Sequence, residues 1–293
     1  MYKRMKLICC DVLFRMACRA AARSKNIIDL EFTPLQSHVE PDKLRALIQG
    51  VIDKADSDGV YEAILLGFGL CGNSTAGLTA RRRPLVIPRA HDCCTLFLGS
   101  REKFASCFGD RLSAQWSSHG YLERNHEYSG GTDINKSLGL DKDYAALVDQ
   151  YGEENAEYIW DTLHPARNVG KDERIYINVA PFDSPEDGDY HYNRYVNAVI
   201  NESTQNAAQK SAQAETQAET QTATQAAAQA AAGANTPVAR ETPVIQRIEG
   251  STLLIDKLLD GDWDEDFLIV PPGMSIAPVY DMERVVATAG ASL

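Results

Sequence analysis

Long hydrophobic runs are missing from this chain. No apolar stretch reaches the roughly 20 residues that a bilayer-crossing helix needs, and the LICC segment that follows Met1 to Arg4 is very short and has no small-residue cleavage site. A cytoplasmic location without a membrane partner is therefore expected. Basic charge is also scarce: 29 Lys and Arg against 41 Asp and Glu leave a net charge of −12. That balance argues against nucleic acid as a partner, because nucleic-acid binding needs a basic face. The one basic cluster, Arg81-Arg82-Arg83, precedes a buried-strand pattern and reads as a solvated turn in preference to a phosphate site.

Cysteine is present in a pattern that lacks any C-x-x-C pair, which excludes the zinc-ribbon and thioredoxin-type arrangements. The seven cysteines are Cys9, Cys10, Cys18, Cys71, Cys93, Cys94 and Cys107. An odd count in a cytoplasmic chain speaks for core thiols, catalytic thiols or metal ligands, and against a disulfide framework. Large apolar residues are nearly absent from Ser203 to Thr242, a stretch of Gln, Ala, Thr and Ser. It cannot bury enough surface to offset the entropy of ordering, so residues 203–242 are expected to be a disordered insertion whose deletion leaves the fold intact.

What is there is an alternation of strand-length and helix-length patterns. KLICC (Lys6 to Cys10) reads as a strand and DVLFRMACRAAARS as a helix; Asn26 to Thr33 is a second strand, and Pro41-Asp42 opens a helix with Leu44, Leu47, Ile48, Val51 and Ile52 in one stripe. Two apolar runs follow, AILL before Gly67 and the PLVIP strand from Pro84. Such continuous runs are the mark of strands buried on both faces of a parallel sheet. The prediction is an α/β fold, a doubly wound, mostly parallel sheet in two Rossmann-like halves. The first half spans residues 1–110; residues 111–170 form a loop and helical excursion over the site; residues 171–202 and 243–293 form the second half, with Phe267 to Val270 as its last strand.

Ligands in open α/β sheets sit beyond the carboxyl ends of the strands. Cys10 ends the first strand, Cys71 follows the third, and His91 and Cys93 follow the fourth, so these four side chains are predicted to share one rim. Thiolates and an imidazole from three loops suit zinc, and three thiolates with an open position suit an iron–sulfur cluster. Asp92, beside His91, would fix its tautomer for a metal or for acid–base work. Gly69, Gly72 and Asn73 in GFGLCGN, with Arg89, offer a different reading, in which backbone N–H groups and a guanidinium grip an anionic small molecule. A third reading makes Cys71 or Cys93 a nucleophile with His91 as base. Cys9, Cys18, Cys94 and Cys107 read as ordinary core thiols.

The segments CDVLFR (Cys10 to Arg15), GFGLCGN (Gly67 to Asn73), LVIPRAHDCCTLFLGS (Leu85 to Ser100), YGEENAEY (Tyr151 to Tyr158) and LLDGDWDEDFLIVPPG (Leu258 to Gly273) together resemble a domain-of-unknown-function family of methanogens and anaerobic bacteria. Its members are often encoded beside corrinoid-dependent methyltransferases. The resemblance implies a context of anaerobic one-carbon or corrinoid methyl metabolism, with a corrinoid or a corrinoid protein as further cofactor or partner and a methyltransferase-associated role.

Overall fold

The structure is a computed structural model and describes residues 2–35, 40–109, 114–124, 173–183, 190–201, 204, 244–279 and 284–290. The chain forms two compact units. The first is assembled from Met1–Glu127, Ile175–Tyr192 and Arg247–Leu293, and the second from Tyr128–Arg174 and Asn193–Gln246. The site contacts described below lie within the first unit.

Its centre is a five-stranded sheet in the order β2 (Ile27–Thr33), β1 (Arg4–Cys10), β3 (Ala63–Gly67), β4 (Leu85–Pro88) and β8 (Phe267–Val270). The first four strands run parallel. Every residue of β3 and β4 is buried, as continuous apolar runs require of strands covered on both faces. Each large side chain removed from water there contributes about 1.5–3 kcal/mol. Helix α1 (Phe14–Arg23) follows β1 through a 3-10 turn at Asp11–Leu13 and buries Met16, Ala17 and Ala20. Helix α2 (Pro41–Asp58) starts with proline in its first turn, buries Leu44, Ile48 and Ile52, and stops at Gly59 in the left-handed conformation. Leu47, expected in that stripe, is exposed.

The α/β class and the mostly parallel sheet agree with the sequence pattern, but β8 does not build a second half. It pairs antiparallel with β4, Pro88 opposite Phe267 and Leu85 opposite Val270, at the edge of the first sheet. Helix α7 (Leu253–Asp260) packs against α1 and is tied to its end, the hydroxyl of Ser24 donating to the Leu259 carbonyl at 2.9 Å. The remaining strands are β5 (Gln115–Ser118), β6 (Glu173–Asn178) and β7 (Val244–Glu249), in a three-stranded sheet of that order, and an antiparallel pair of β9 (Met274–Pro278) and β10 (Val286–Gly290).

Three short helices complete the described part of the site: α3 (Cys93–Leu98), α4 (Arg101–Phe108) and α5 (His119–Arg124). A further helix, α6, covers residues 190–201. The arginine cluster is structural. Arg81 pairs with Asp53, and Asp56 accepts from the Arg82 side chain and from the amides of Arg82 and Arg83. Burial would raise the Asp56 carboxyl, but these donors outweigh it and hold it below the usual carboxylate range. The expected disordered insertion at 203–242 falls, but for Thr204, outside the described residues, as does most of the excursion expected over 111–170.

Candidate functional site

Parallel pairing of β1, β3 and β4 puts their carboxyl ends on one rim, and three thiols collect there. Cys10 is the last residue of β1 and is buried. Gly67 ends β3 because an added Cβ would lie 2.5 Å from the Cys9 sulfur on the neighbouring strand. Beyond it the chain runs alongside the segment after β4, with Leu70 and Cys71 donating to the carbonyls of Ala90 and His91 at 2.8 Å. Gly69 permits this approach, since a Cβ there would lie 2.7 Å from the Ala90 carbonyl and the Asp92 amide. The chain then turns sharply through three successive left-handed residues, Cys71, Gly72 and Asn73, at φ 47°, 61° and 69°. For cysteine that conformation carries strain of order 1 kcal/mol or more, the kind found where function holds the backbone.

Cys10, Cys71 and Cys93 lie within electrostatic reach of one another. Burial pushes the Cys10 thiol well above its ordinary value, and Cys93 adds to the rise. Cys93 is raised by burial, then by Cys71 and Asp92; Cys71 is raised by burial, then by Asp92 and Cys10. Hydrogen bonding opposes burial at each sulfur: the amides of Val12 and Asp11 at Cys10, those of Gly69 and Cys93 at Cys71, and the Cys93 amide with the Tyr121 hydroxyl at Cys93. The Tyr121 oxygen stands 2.7 Å from the Cys93 sulfur.

Tyr121 was not among the predicted site residues, although the aromatic-rich excursion containing it was placed over the site. It arrives because α5 lies directly on the turn after Cys10. A Cβ on Gly120 would come within 1.9 Å of the Val12 carbonyl, so only glycine allows this packing. Its ring is set by Trp116 and Phe97, at 5.2 and 6.1 Å between centroids.

The other predicted residues divide. Asp92 caps α3, its Oδ1 accepting from the Cys94 amide at 2.9 Å; burial raises its carboxyl in spite of that bond and of nearby His91. His91 lies in the segment after β4, its ring centroid 6.2 Å from that of Phe104 on α4, and its Nε2 is buried with no hydrogen-bond partner among the described residues. Arg89 is committed elsewhere, donating through Nη1 to the carbonyls of Arg284 and Val286 beside β10. Gly72 and Asn73 are exposed, and the amides of Leu70, Cys71, Ser74, Thr75, Ala76 and Gly77 already donate to protein carbonyls. That leaves the anion-cradle reading with few donors. Cys9 and Cys94 are buried core thiols as expected, whereas Cys18 and Cys107 are half-buried.

The donor types fit a soft metal ion: three sulfurs served by N–H or O–H groups, and one imidazole nitrogen without a partner. Among the described residues no three His, Cys, Asp or Glu side chains are already disposed around one ion, so the donors are gathered on the rim without being closed on a common point. No helix among the described residues is long and apolar enough to cross a membrane.

Residues 32–219 match the model of a family described as protein of unknown function (DUF1638), and the chain belongs to that family. No curated protein and no solved structure matches it.

Proposed function

We propose that the rim binds a soft metal, either zinc or an iron–sulfur cluster, through Cys10, Cys71 and Cys93, with His91 as fourth ligand or as a base beside it. The observation that carries this reading is the set of three thiols from separate segments, each with hydrogen-bond donors at its sulfur. Thiolates are stabilised by such donors and by a cation, and N–H to sulfur bonds accompany thiolate-held metals. Burial, the neighbouring thiols and the carboxyl groups of Asp11 and Asp92 all favour the neutral thiols. A bound cation would supply the charge that ionises them.

The competing readings fare worse on the same observations. A nucleophilic cysteine needs a lowered pKa, and all three thiols are raised. An anion cradle needs free amides and a free guanidinium, and Arg89 and the amides of Leu70, Cys71 and Ser74 to Gly77 are engaged. Closure on a metal falls to the Cys71 turn, the half-buried member of the three. When bound, the metal supplies a Lewis-acid or thiolate-transfer centre, and methyl or corrinoid chemistry is the context that the family resemblance implies.

The test is metal quantification with an ultraviolet–visible spectrum on protein purified without oxygen. Near-stoichiometric zinc or iron is expected, and it should fall sharply in Cys71→Ser. Folded, metal-free protein after expression with both metals supplied, or metal content unchanged by Cys71→Ser, would sink the reading.

A further inference from the structure

On the other side of α5 lies a second cluster that no local motif announces. Glu123 Oε1 is 3.4 Å from His191 Nε2. The other nitrogen of that ring, Nδ1, is 3.6 Å from Asp183 Oδ1. The other oxygen of that carboxylate, Oδ2, is 3.4 Å from His119 Nδ1. His191 and Asp183 thus each face their two neighbours through different polar atoms. Side-chain exposure falls along the series, from 54% at Arg15, which pairs with Glu123, through 19% at Glu123 and 10% at His191, to 0% at Asp183 and 1% at His119. At the inner end, His119 Nε2 is buried with no hydrogen-bond partner among the described residues.

We propose that Glu123, His191, Asp183 and His119 form a proton relay between solvent and the buried Nε2 of His119. At rest His119 presents its Nδ1 proton to Asp183, and its Nε2 is the accepting nitrogen. A proton taken up at Nε2 from inside the unit releases the Nδ1 proton to Asp183 Oδ2. A half-turn of the carboxyl group, which parts and re-forms its bonds to Tyr176 and Val179, carries that proton to His191 Nδ1. His191 gives up the proton on Nε2 to Glu123 Oε1, and Glu123 passes it to solvent. One proton enters, one leaves, and no group changes its net charge; the same path run in reverse restores both tautomers and admits a proton. The contacts are longer than formed hydrogen bonds, so each hop follows a small approach of neighbouring side chains.

The surroundings keep any station from trapping the proton. Burial would raise Asp183, but His119, the Val179 amide and the Tyr176 hydroxyl outweigh it and hold the carboxyl ionised. It is therefore protonated only in passing. Burial lowers His191, against the pull of Asp183 and Glu123 and with the help of His119 and Arg15, so it gives up a proton readily. His119 is clamped between Phe182 and Phe97, at 5.1 and 5.7 Å between centroids. The relay serves a reaction that takes up or releases a proton inside the unit, and it stands independently of the metal reading.

The test is exchange of the His119 side-chain N–H with solvent, followed by nuclear magnetic resonance on the full-length protein labelled at histidine nitrogen. The backbone amides of α5 serve as the internal control for local opening. In His191→Gln and in Glu123→Gln, the side-chain exchange should slow about tenfold relative to those amides, as loss of a shuttle group predicts. Exchange that is unchanged, or that alters only in step with the amides, overturns the relay. If His191→Gln does not fold, Glu123→Gln, at a partly exposed position, decides alone.

Discussion

Two polar clusters flank one short helix, and burial acts on them in opposite ways. Tyr121 faces the thiol rim, and His119 and Glu123, one helical turn apart, face Asp183 and His191. At the rim, burial wins and all three thiols are pushed toward the neutral form. In the second cluster Asp183 is as deeply buried, yet it stays charged, because a hydroxyl, an amide and an imidazole converge on it. Partners, not depth, decide which group carries charge. At the rim the neighbouring acidic groups raise the thiols, whereas in the second cluster Glu123 is already paired with Arg15.

The largest expected effect breaks the second cluster. Replacing Asp183 by Ala leaves two imidazoles, Tyr176 and the Val179 amide without their shared acceptor. Breaking a buried pair of this kind costs about 3–5 kcal/mol, readable by urea denaturation. Loss below ~1 kcal/mol would mean that the contacts are incidental. Next is the helix between the clusters. Gly120→Ala forces a Cβ onto the Val12 carbonyl, so α5 must lift from both sides. A destabilisation of about 1–3 kcal/mol is expected from overpacking, together with displacement of Tyr121 from Cys93.

The third prediction separates the clusters by pH. Asp183 and His191 both have lowered values in the folded protein, so the unfolded chain binds the extra protons first and stability falls toward acid. The His191 contribution is lost below its unfolded value of about 6.5, and that of Asp183 below about 3.9. The thiols are raised, so their contribution is complete below the unfolded thiol value of about 8.5 and fades as pH rises beyond it. Asp183→Asn should therefore flatten the acid limb of a stability-against-pH curve and leave the alkaline limb. Cys10→Ala should do the reverse. One variant that altered both limbs equally would show the two sites to be a single coupled unit.

The rim was legible and the second cluster was not, for a physical reason. Strand ends in a parallel sheet share an edge, so the apolar runs before Cys10, Gly67 and Arg89 were enough to group Cys10, Cys71 and Cys93, whereas His91, the fourth residue of the expected set, makes its ring contact among the described residues with Phe104. Position 119 meets 183 and 191 only through packing of a six-residue helix that carries no usable period, and nothing local marks Asp183 as an acceptor. The close contact of Gly120 with Val12 likewise leaves no trace in composition. β8 was found as a strand but misplaced, because FLIV reads the same in either direction.

Tyr121 offers the finest test, because it touches the rim from the helix that both clusters share. Its own hydroxyl is raised well above the ordinary tyrosine value, first by burial and then by Cys93, so it keeps a proton that it can donate to the sulfur 2.7 Å away. Tyr121→Phe removes that donor while the ring remains to pack on Phe97 and Trp116. The stability cost should be only about 1 kcal/mol. The Cys93 thiol should rise further, so alkylation of metal-free protein at mildly alkaline pH, followed by peptide mass spectrometry, should slow at Cys93 relative to Cys107. With metal bound, loss of a group that orients a ligand lowers affinity about 10–100-fold. Unchanged alkylation with unchanged metal affinity would mean that the sulfur is the donor and the phenol oxygen its acceptor, and Tyr121 would then serve packing alone.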